Sequence, residues 1–328
     1  MSSETSPVLV LGGTGTVGSR IASQLAAQGI PTLIASRNPP PSSASTSHHF
    51  TFDWDKPSTW EPIFLSQTST TEGTDTDQKE PQPPSKPQPA PQPIKSVYLI
   101  APPSLTGDGP MIDFVDFARA RGVRRFILQS ASLIEAGGPL MGKVHAYLRE
   151  LGQRGEVEWG VLRPTWFQED MGEKDIHRES IKRESKIYSA TEDGKIPWVS
   201  ADDVAGVAVR ALVGGEAMNT EWIVLGPELL SYDEVAKILT EVLGRRIVHV
   251  DLTTEELEER LVMFWMPEEY ARMMSAMDTA IKFGAENRTN DVVFSVTGEA
   301  PRKFREYAES VKDVWETRLE GMGIEGKT

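Results

Sequence analysis

The chain has 328 residues, 39% of them apolar, and sets 34 Lys and Arg against 48 Asp and Glu for a net charge of -14. That is enough apolar material for one large or two modest domains, while the acidic excess argues against a nucleic-acid partner or anchoring on anionic lipid. Cysteine is absent, which excludes disulfides and thiolate catalysis, and the histidines at 48, 49, 145, 177 and 249 lack ligand spacing, so no metal site is expected.

The opening MSSETSPV has neither the basic nor the apolar region of a signal peptide. No apolar run approaches the roughly 18 to 20 residues that span a bilayer. A cytoplasmic protein with no membrane contact is the expectation.

In chain order, the run VLVL at 8–11 predicts a first strand and residues 17–28 a helix, with Val17, Ile21 and Leu25 on one face and Gly29 as its stop. Residues 31–37 read as a second strand, and Phe50 and Phe52 alternate with polar residues in a third. Residues 97–101, 125–129 and 158–162 complete six strands with helices between them, the pattern of a parallel sheet covered on both faces. Residues 66–94 are rich in proline and nearly devoid of apolar side chains, which predicts a mobile surface loop; a PxxP-type ligand for a protein partner is the sharper reading. Leu140, Val144, Leu148 and Leu151 form the apolar stripe of a further helix.

Past residue 165 helices dominate. Ser231 with Glu234, and Thr253 with Glu256, make capping boxes, and Ser200 caps a helix whose first turn carries Asp202 and Asp203. The expected layout is an α/β, Rossmann-type doubly wound parallel sheet over 1–165 and a smaller, mostly helical substrate-binding region over 166–328.

Gly12-x-x-Gly15-x-x-Gly18 follows the first strand and opens the first helix, the context in which a glycine turn meets the pyrophosphate of a dinucleotide. The second strand ends Ser36-Arg37, where a carboxylate would favour NAD; a hydroxyl and a guanidinium suit a 2′-phosphate instead, so NADP(H) is expected. Arg20 is a further candidate for positive charge near the phosphates.

The glycine spacing, Asp53 after strand three, Ala101-Pro102-Pro103 after strand four and Ser130-Ala131-Ser132 after strand five resemble the NmrA-like branch of the short-chain dehydrogenases. The stretches PMIDFVDFARARGV (110–123), LRPTWFQED (162–170), KIYSATEDGKIPWVSADDVA (186–205) and GPELLSYDEVAKILTEVLGR (226–245) resemble, within it, the festuclavine and agroclavine dehydrogenases of fungal ergot alkaloid biosynthesis. The resemblance spans 8–315 apart from the proline-rich insertion. It implies NADPH-dependent reduction of a cyclic imine or iminium in a polycyclic small molecule of secondary metabolism. It also implies that Gly12, Thr14, Gly15, Thr16, Val17 and Gly18 meet the pyrophosphate. Asp53 and Trp54 would meet the adenine, and Ala101, Pro102 and Pro103 the ribose side. Ser130 to Ser132 would lie beside the nicotinamide, and Trp166, Phe167 and Trp198 in the substrate cleft.

The Y-x-x-x-K dyad usual in short-chain dehydrogenases is missing; Lys143 precedes Tyr147 instead. An iminium already carries its activating charge, so its reduction requires no acid, and the missing dyad favours C=N over C=O chemistry. Met141 and His145 flank the helix stripe on one side, Lys143 and Tyr147 on the other, and either flank is a candidate to face the cofactor. The catalytic candidates are Lys143, His145, Tyr147 and Ser132, with Met141 and His145 also candidate substrate contacts and Lys143 a candidate cofactor contact. Met263, Phe264, Trp265 and Met266 form a further apolar cluster. In the dehydrogenases that the chain resembles, this position is often glutamine, and a lysine there opposes a cationic substrate, which leaves a carbonyl or enone acceptor open. A non-catalytic NmrA-like redox sensor is the rival of a different class.

Overall fold

The computed structural model describes residues 6–38, 47–65, 93–102, 104, 106–173 and 175–316. Pro103 and residues 66–92 of the proline-rich stretch lie outside them, and so does any partner contact made there.

The strands are β1 (Val8–Leu11), β2 (Thr32–Ser36), β3 (Ser47–Thr51), β4 (Ser96–Ile100), β5 (Arg125–Gln129), β6 (Glu158–Pro164), β7 (Lys186–Ser189), β8 (Ile196–Pro197), β9 (Thr220–Val224), β10 (Leu229–Leu230) and β11 (Val248–Asp251). The helices are α1 (Thr16–Ala27), α2 (Glu61–Leu65), α3 (Asp108–Arg119), α4 (Met141–Gln153), α5 (Asp175–Glu184), α6 (Ala201–Val213), α7 (Tyr232–Leu243), α8 (Thr254–Met263), α9 (Glu268–Lys282), α10 (Val292–Thr297) and α11 (Phe304–Val311). A seven-stranded sheet runs β3-β2-β1-β4-β5-β6-β9 with every pair parallel.

Parallel strands buried on both faces read as continuous apolar runs, and β1 illustrates why. Val8 and Val10 point into a core shared with α1 and α6, while Leu9 and Leu11 point into the opposite core beneath α3 and α4. The sheet is therefore doubly wound. Its strand order leaves the carboxyl ends of β1 and β4 beside each other on either side of a reversal in winding, the place where such sheets form a crevice.

The sheet does not end at residue 165. β9 adds its seventh strand alongside β6, and α6 packs across it against α1, so the dinucleotide-binding layer borrows elements from the second half of the chain. β9 escapes a reading based on local rhythm because its partner lies some sixty residues earlier. Phe52 falls just past β3 rather than within it.

β7, β8, β10 and β11 with α5, α7 to α9 and α11 build a second lobe around Trp198, Tyr232, Phe304 and Trp315, while α2 and α10 pack into the cores of the main sheet. Both capping boxes form, Ser231 accepting from the Glu234 N–H and Thr253 from that of Glu256, and Ser200 accepts from Asp202. Asp278 on α9 fastens this lobe internally: its carboxylate, only 6% exposed, accepts the Ala190 N–H at 2.7 Å.

Burial pushes the Asp278 carboxyl up to about 7, from an ordinary 3.8. A folded-state pKa above the unfolded one means that its stabilising contribution is complete below the unfolded value and is lost as pH rises towards 7. Asp278→Asn keeps an acceptor for Ala190 and never ionises. The variant should therefore gain melting temperature relative to the parent on going from pH 5 to pH 8, and an equal difference at both would refute the assignment.

Candidate functional site

The turn between β1 and α1 is built by missing side chains. Gly12 has φ +64°, a left-handed conformation, and a Cβ on Gly18 would stand 2.3 Å from the Gly12 carbonyl oxygen, so only glycine lets α1 start this close to the strand. Gly15 occupies the helix N-cap with no side-chain bond, and the first turn holds no acidic residue. The N–H groups at the start of α1 are thus left for an anion.

Three adjoining cavities follow the carboxyl edge of the sheet. The first, about 570 Å³, lies between the glycine turn and the ends of β2 and β3, with Thr14, Ser36, Arg37, Asp53, Trp54 and Pro102 in its walls. Arg37 is exposed there and forms no ion pair among the described residues, and the buried Ser36 Oγ has no partner. The Asp53 carboxyl is held below its ordinary range, chiefly by the Asp55 N–H and then by Lys56. Arg20 does not contribute: its guanidinium is bound to Glu173 at 2.7 Å and to Asp202 at 3.2 Å.

The second cavity, about 200 Å³, lies under the start of α1 between Thr16, Val17, Gly18, Tyr98 and Gln129. The buried Tyr98 hydroxyl donates to Oε1 of Gln129, fixing the amide.

The third, about 350 Å³, opens over the ends of β5 and β6. Ser130, Ser132 and Thr165 lie in its floor, Met141, Trp166 and Phe167 in its sides, and α9 covers it with Tyr270, Met273, Met274 and Met277. Asp170 is the one charged residue lining it among those described; the carboxylate accepts the Phe167 N–H at 3.2 Å. Ser130 Oγ is buried in the floor without a partner.

An extended dinucleotide fits this arrangement. The first cavity suits an adenosine with an anionic substituent near Arg37, the second a pyrophosphate on uncapped N–H groups, and the orphaned Ser36 and Ser130 hydroxyls are waiting donors. Ala101 and Pro102 border both outer cavities.

Several expected site residues stand elsewhere. Lys143 pairs with Asp108 on α3 at 2.9 Å, and the Tyr147 hydroxyl donates to Asp116 on α3 at 2.6 Å. His145 is buried 5.6 Å from the Trp159 ring, 4.0 Å from Glu221, with burial foremost in lowering its pKa. The reason is the stripe of α4: with Val144, Leu148 and Leu151 against the sheet, one flank meets α3 and the other β6, so only the first turn, at Met141, reaches the third cavity. Trp198 is 1% exposed in the core of the second lobe, its indole donating to the Leu230 carbonyl at 3.2 Å. Of the apolar cluster at 263–266, Met263 and Trp265 are exposed, at 68% and 95%. Pro103 lies outside the described residues.

Other residues stand at the site beside the expected ones. Tyr270, Met273, Met274 and Met277 have the i, i+3, i+4, i+7 spacing of a helical stripe, a legible signal. Arg163, Asp170 and Glu286 have no such local pattern. Arg163, 2% exposed, grips Glu135 and Glu221 at 2.6 Å each and the Ser132 carbonyl at 2.7 Å, and so holds the turn after β5 in place. Ser189, His249 and Asp233 line up like a hydrolytic triad at 2.8 and 3.2 Å, but Ser189 is 0% exposed, out of reach of any substrate.

No protein-family model matches the chain. It is 45% identical over 309 residues to festuclavine synthase II of Penicillium roqueforti, covering 94% of this chain and 99% of that one. It is 40% identical to the agroclavine dehydrogenase of Claviceps fusiformis over 94% and 98%. An uncharacterized oxidoreductase of Bacillus subtilis is 35% identical over 94% and 96%. Among solved structures, the Citrobacter triphenylmethane reductase complexed with NADP(H) superposes with a TM-score of 0.69 at 19% identity, over 93% of this chain and 99% of that one. The Escherichia coli NADPH-dependent quinone oxidoreductase complexed with NADPH gives 0.70 at 16%, over 94% and 99%. The chain belongs to the family of festuclavine and agroclavine dehydrogenases, and is an oxidoreductase on a Rossmann-type fold.

Because Lys143 and Tyr147 face α3, Lys143→Gln and Tyr147→Phe should each shift unfolding free energy by no more than about 1 kcal/mol. Dinucleotide Kd should stay the same in both. Weakened binding would place them at the cofactor after all.

Proposed function

We propose that this chain is an NADPH-dependent reductase that delivers hydride to the C=N carbon of a cationic cyclic iminium in a polycyclic, ergot-alkaloid-like substrate of secondary metabolism. One observation carries the reading: the third cavity has apolar and aromatic walls over a floor of hydroxyls, with one carboxylate, Asp170, and no basic residue among the described residues that line it. Such a cavity suits a flat cation. Lys143, which would have opposed one, is bound to α3.

When bound, NADPH supplies a hydride; the iminium carbon takes that electron pair, the π pair returns to nitrogen, and a neutral amine results without any proton. The protein's part is positional. The start of α1 and Arg37 hold phosphate groups, Tyr98 fixes the Gln129 amide beside them, and Arg163 holds the floor on which the reacting ends meet. Met141 and the α9 methionines exclude water from above.

One observation favours a carbonyl or enone acceptor instead: the Tyr270 phenol lines the same cavity and has a proton to give. Burial raises its pKa, and no lysine among the described residues lining the cavity lowers it, so it lacks the activation of the missing dyad. A redox sensor would require the first two cavities but not the third.

Arg37→Ala should weaken NADPH by about 1.5 to 3 kcal/mol while leaving NADH nearly untouched, since only the former has a 2′-phosphate. Equal losses would remove Arg37 from that role. Steady-state kinetics with cyclic iminium and enone acceptors then divides the two chemistries. Asp170→Asn should raise KM for the cation at least about tenfold with kcat unchanged or higher, because the charge it faces fades as hydride arrives and its attraction serves the bound substrate more than the transition state. Tyr270→Phe should keep turnover within about tenfold, whereas loss of a general acid costs about 10²- to 10⁴-fold. A collapse of kcat in Tyr270→Phe alongside an unchanged KM in Asp170→Asn would reverse the choice.

A further inference from the structure

Glu286 lies just beyond α9, and its carboxylate is 0% exposed. Both oxygens are taken by hydroxyls of the cavity floor. Ser132 Oγ, in the turn after β5, donates to Oε1, and Thr165 Oγ1, just past β6, donates to Oε2 at 3.1 Å. The guanidinium of Arg288 stands 3.8 Å from Oε1 and also binds the Ser132 carbonyl. Arg163, the other nearby cation, is matched by Glu135 and Glu221.

A serine or threonine hydroxyl has one hydrogen and two lone pairs. With the hydrogen committed to a buried carboxylate, which accepts and cannot donate while ionised, Ser132 and Thr165 have only lone pairs to offer the cavity they line. Glu286 thereby sets the polarity of two hydroxyls without touching the cavity itself. Adjacent Ser130, its hydroxyl unpartnered, is free to act either way.

The order of the cavities decides what meets this pair. With adenosine and pyrophosphate in the first and second, the nicotinamide end would lie over β5 and β6, since the second and third share Ile100, Gln129, Phe167 and Asp170. Its carboxamide carries an NH2 with two hydrogens to donate, whereas a fully substituted iminium nitrogen has none. We propose that Glu286 is a positioning residue that holds Ser132 and Thr165 as hydrogen-bond acceptors for the carboxamide NH2 of the nicotinamide, and so fixes which way the ring is turned towards the substrate. This rests on the dinucleotide reading above. Ring orientation follows because the carboxamide marks one edge of the nicotinamide, and holding that edge decides which face of C4 looks into the cavity.

The test is a binding measurement. Kd is obtained by calorimetry for NADP+ and for its 3-acetylpyridine analogue, in which a methyl group replaces the NH2. The parent protein should prefer NADP+ at least about tenfold, because the analogue leaves two buried acceptors unpaired. In Glu286→Gln the amide donates to one hydroxyl, which turns its own hydrogen to the cavity and can serve the acetyl oxygen; the preference should fall to about threefold or less. Ser132→Ala removes one acceptor directly and should also reduce it, and decides the matter if Glu286→Gln does not fold. No preference in the parent, or a preference unchanged in the folded variants, would overturn the inference while leaving the dinucleotide reading standing. A parent protein that binds neither compound would overturn both.

Discussion

The ligand-binding edge depends on how closely α1 approaches the turn after β1. Gly18 has van der Waals room for a hydrogen and nothing more: an added Cβ would stand 2.3 Å from the Gly12 oxygen and 2.9 Å from the Gly13 Cα. That contact fixes where the helix begins, and the uncapped Gly15 fixes what it presents. The first two cavities both have this turn as a wall, so a displacement of the helix would deform both at once. The constraint also works against the protein's overall charge. A chain of net charge -14 repels an anionic cofactor at long range, and on the proposed reading the helix start, Arg37 and nearby hydroxyls would have to reverse that sign over a few ångströms. Arg20 takes no part because Glu173 and Asp202 neutralise it.

At the other end of the crevice a different device holds the floor. Arg163 points inward from β6 and cannot remain buried unless its donors are met, and they are met by Glu135, Glu221 and the Ser132 carbonyl. The turn after β5 is thereby gripped from beneath by a cation and from behind by Glu286. Positive and negative groups alternate through this layer, so the Ser132 and Thr165 hydroxyls have little rotational freedom left.

What could be read from the sequence follows the range of the interactions. β1, α1 and the capping boxes at Ser231 and Thr253 are local, decided by residues within a turn or two of each other, and their signatures are plain. The stripe of α4 correctly places Val144, Leu148 and Leu151 on the sheet, yet it says nothing of which neighbour lies at either flank. Lys143, His145 and Tyr147 could not be oriented from it. Trp198 presents the same difficulty, since an indole in a core and an indole in a cleft look alike in one dimension. Glu286 bonds to residues more than a hundred positions earlier, and no local pattern foretells such a pairing. β9 was obscured for the same reason.

Three of the four α9 side chains that cover the third cavity are thioethers, the fourth being Tyr270. Methionine has three torsions beyond its Cα and a soft, polarisable sulfur, and neighbouring side chains of this kind can redistribute their volume while α9 keeps its backbone still. Such a roof takes the outline of whatever lies beneath it. Where a roof of branched side chains would need mutation to accommodate a ring closed at a different position, this one needs only a change of rotamer. On the proposed reading, diversification of the acceptor would be decoupled from the machinery that holds the cofactor: the roof can follow a new scaffold while the glycine turn and the hydroxyl floor remain as they are.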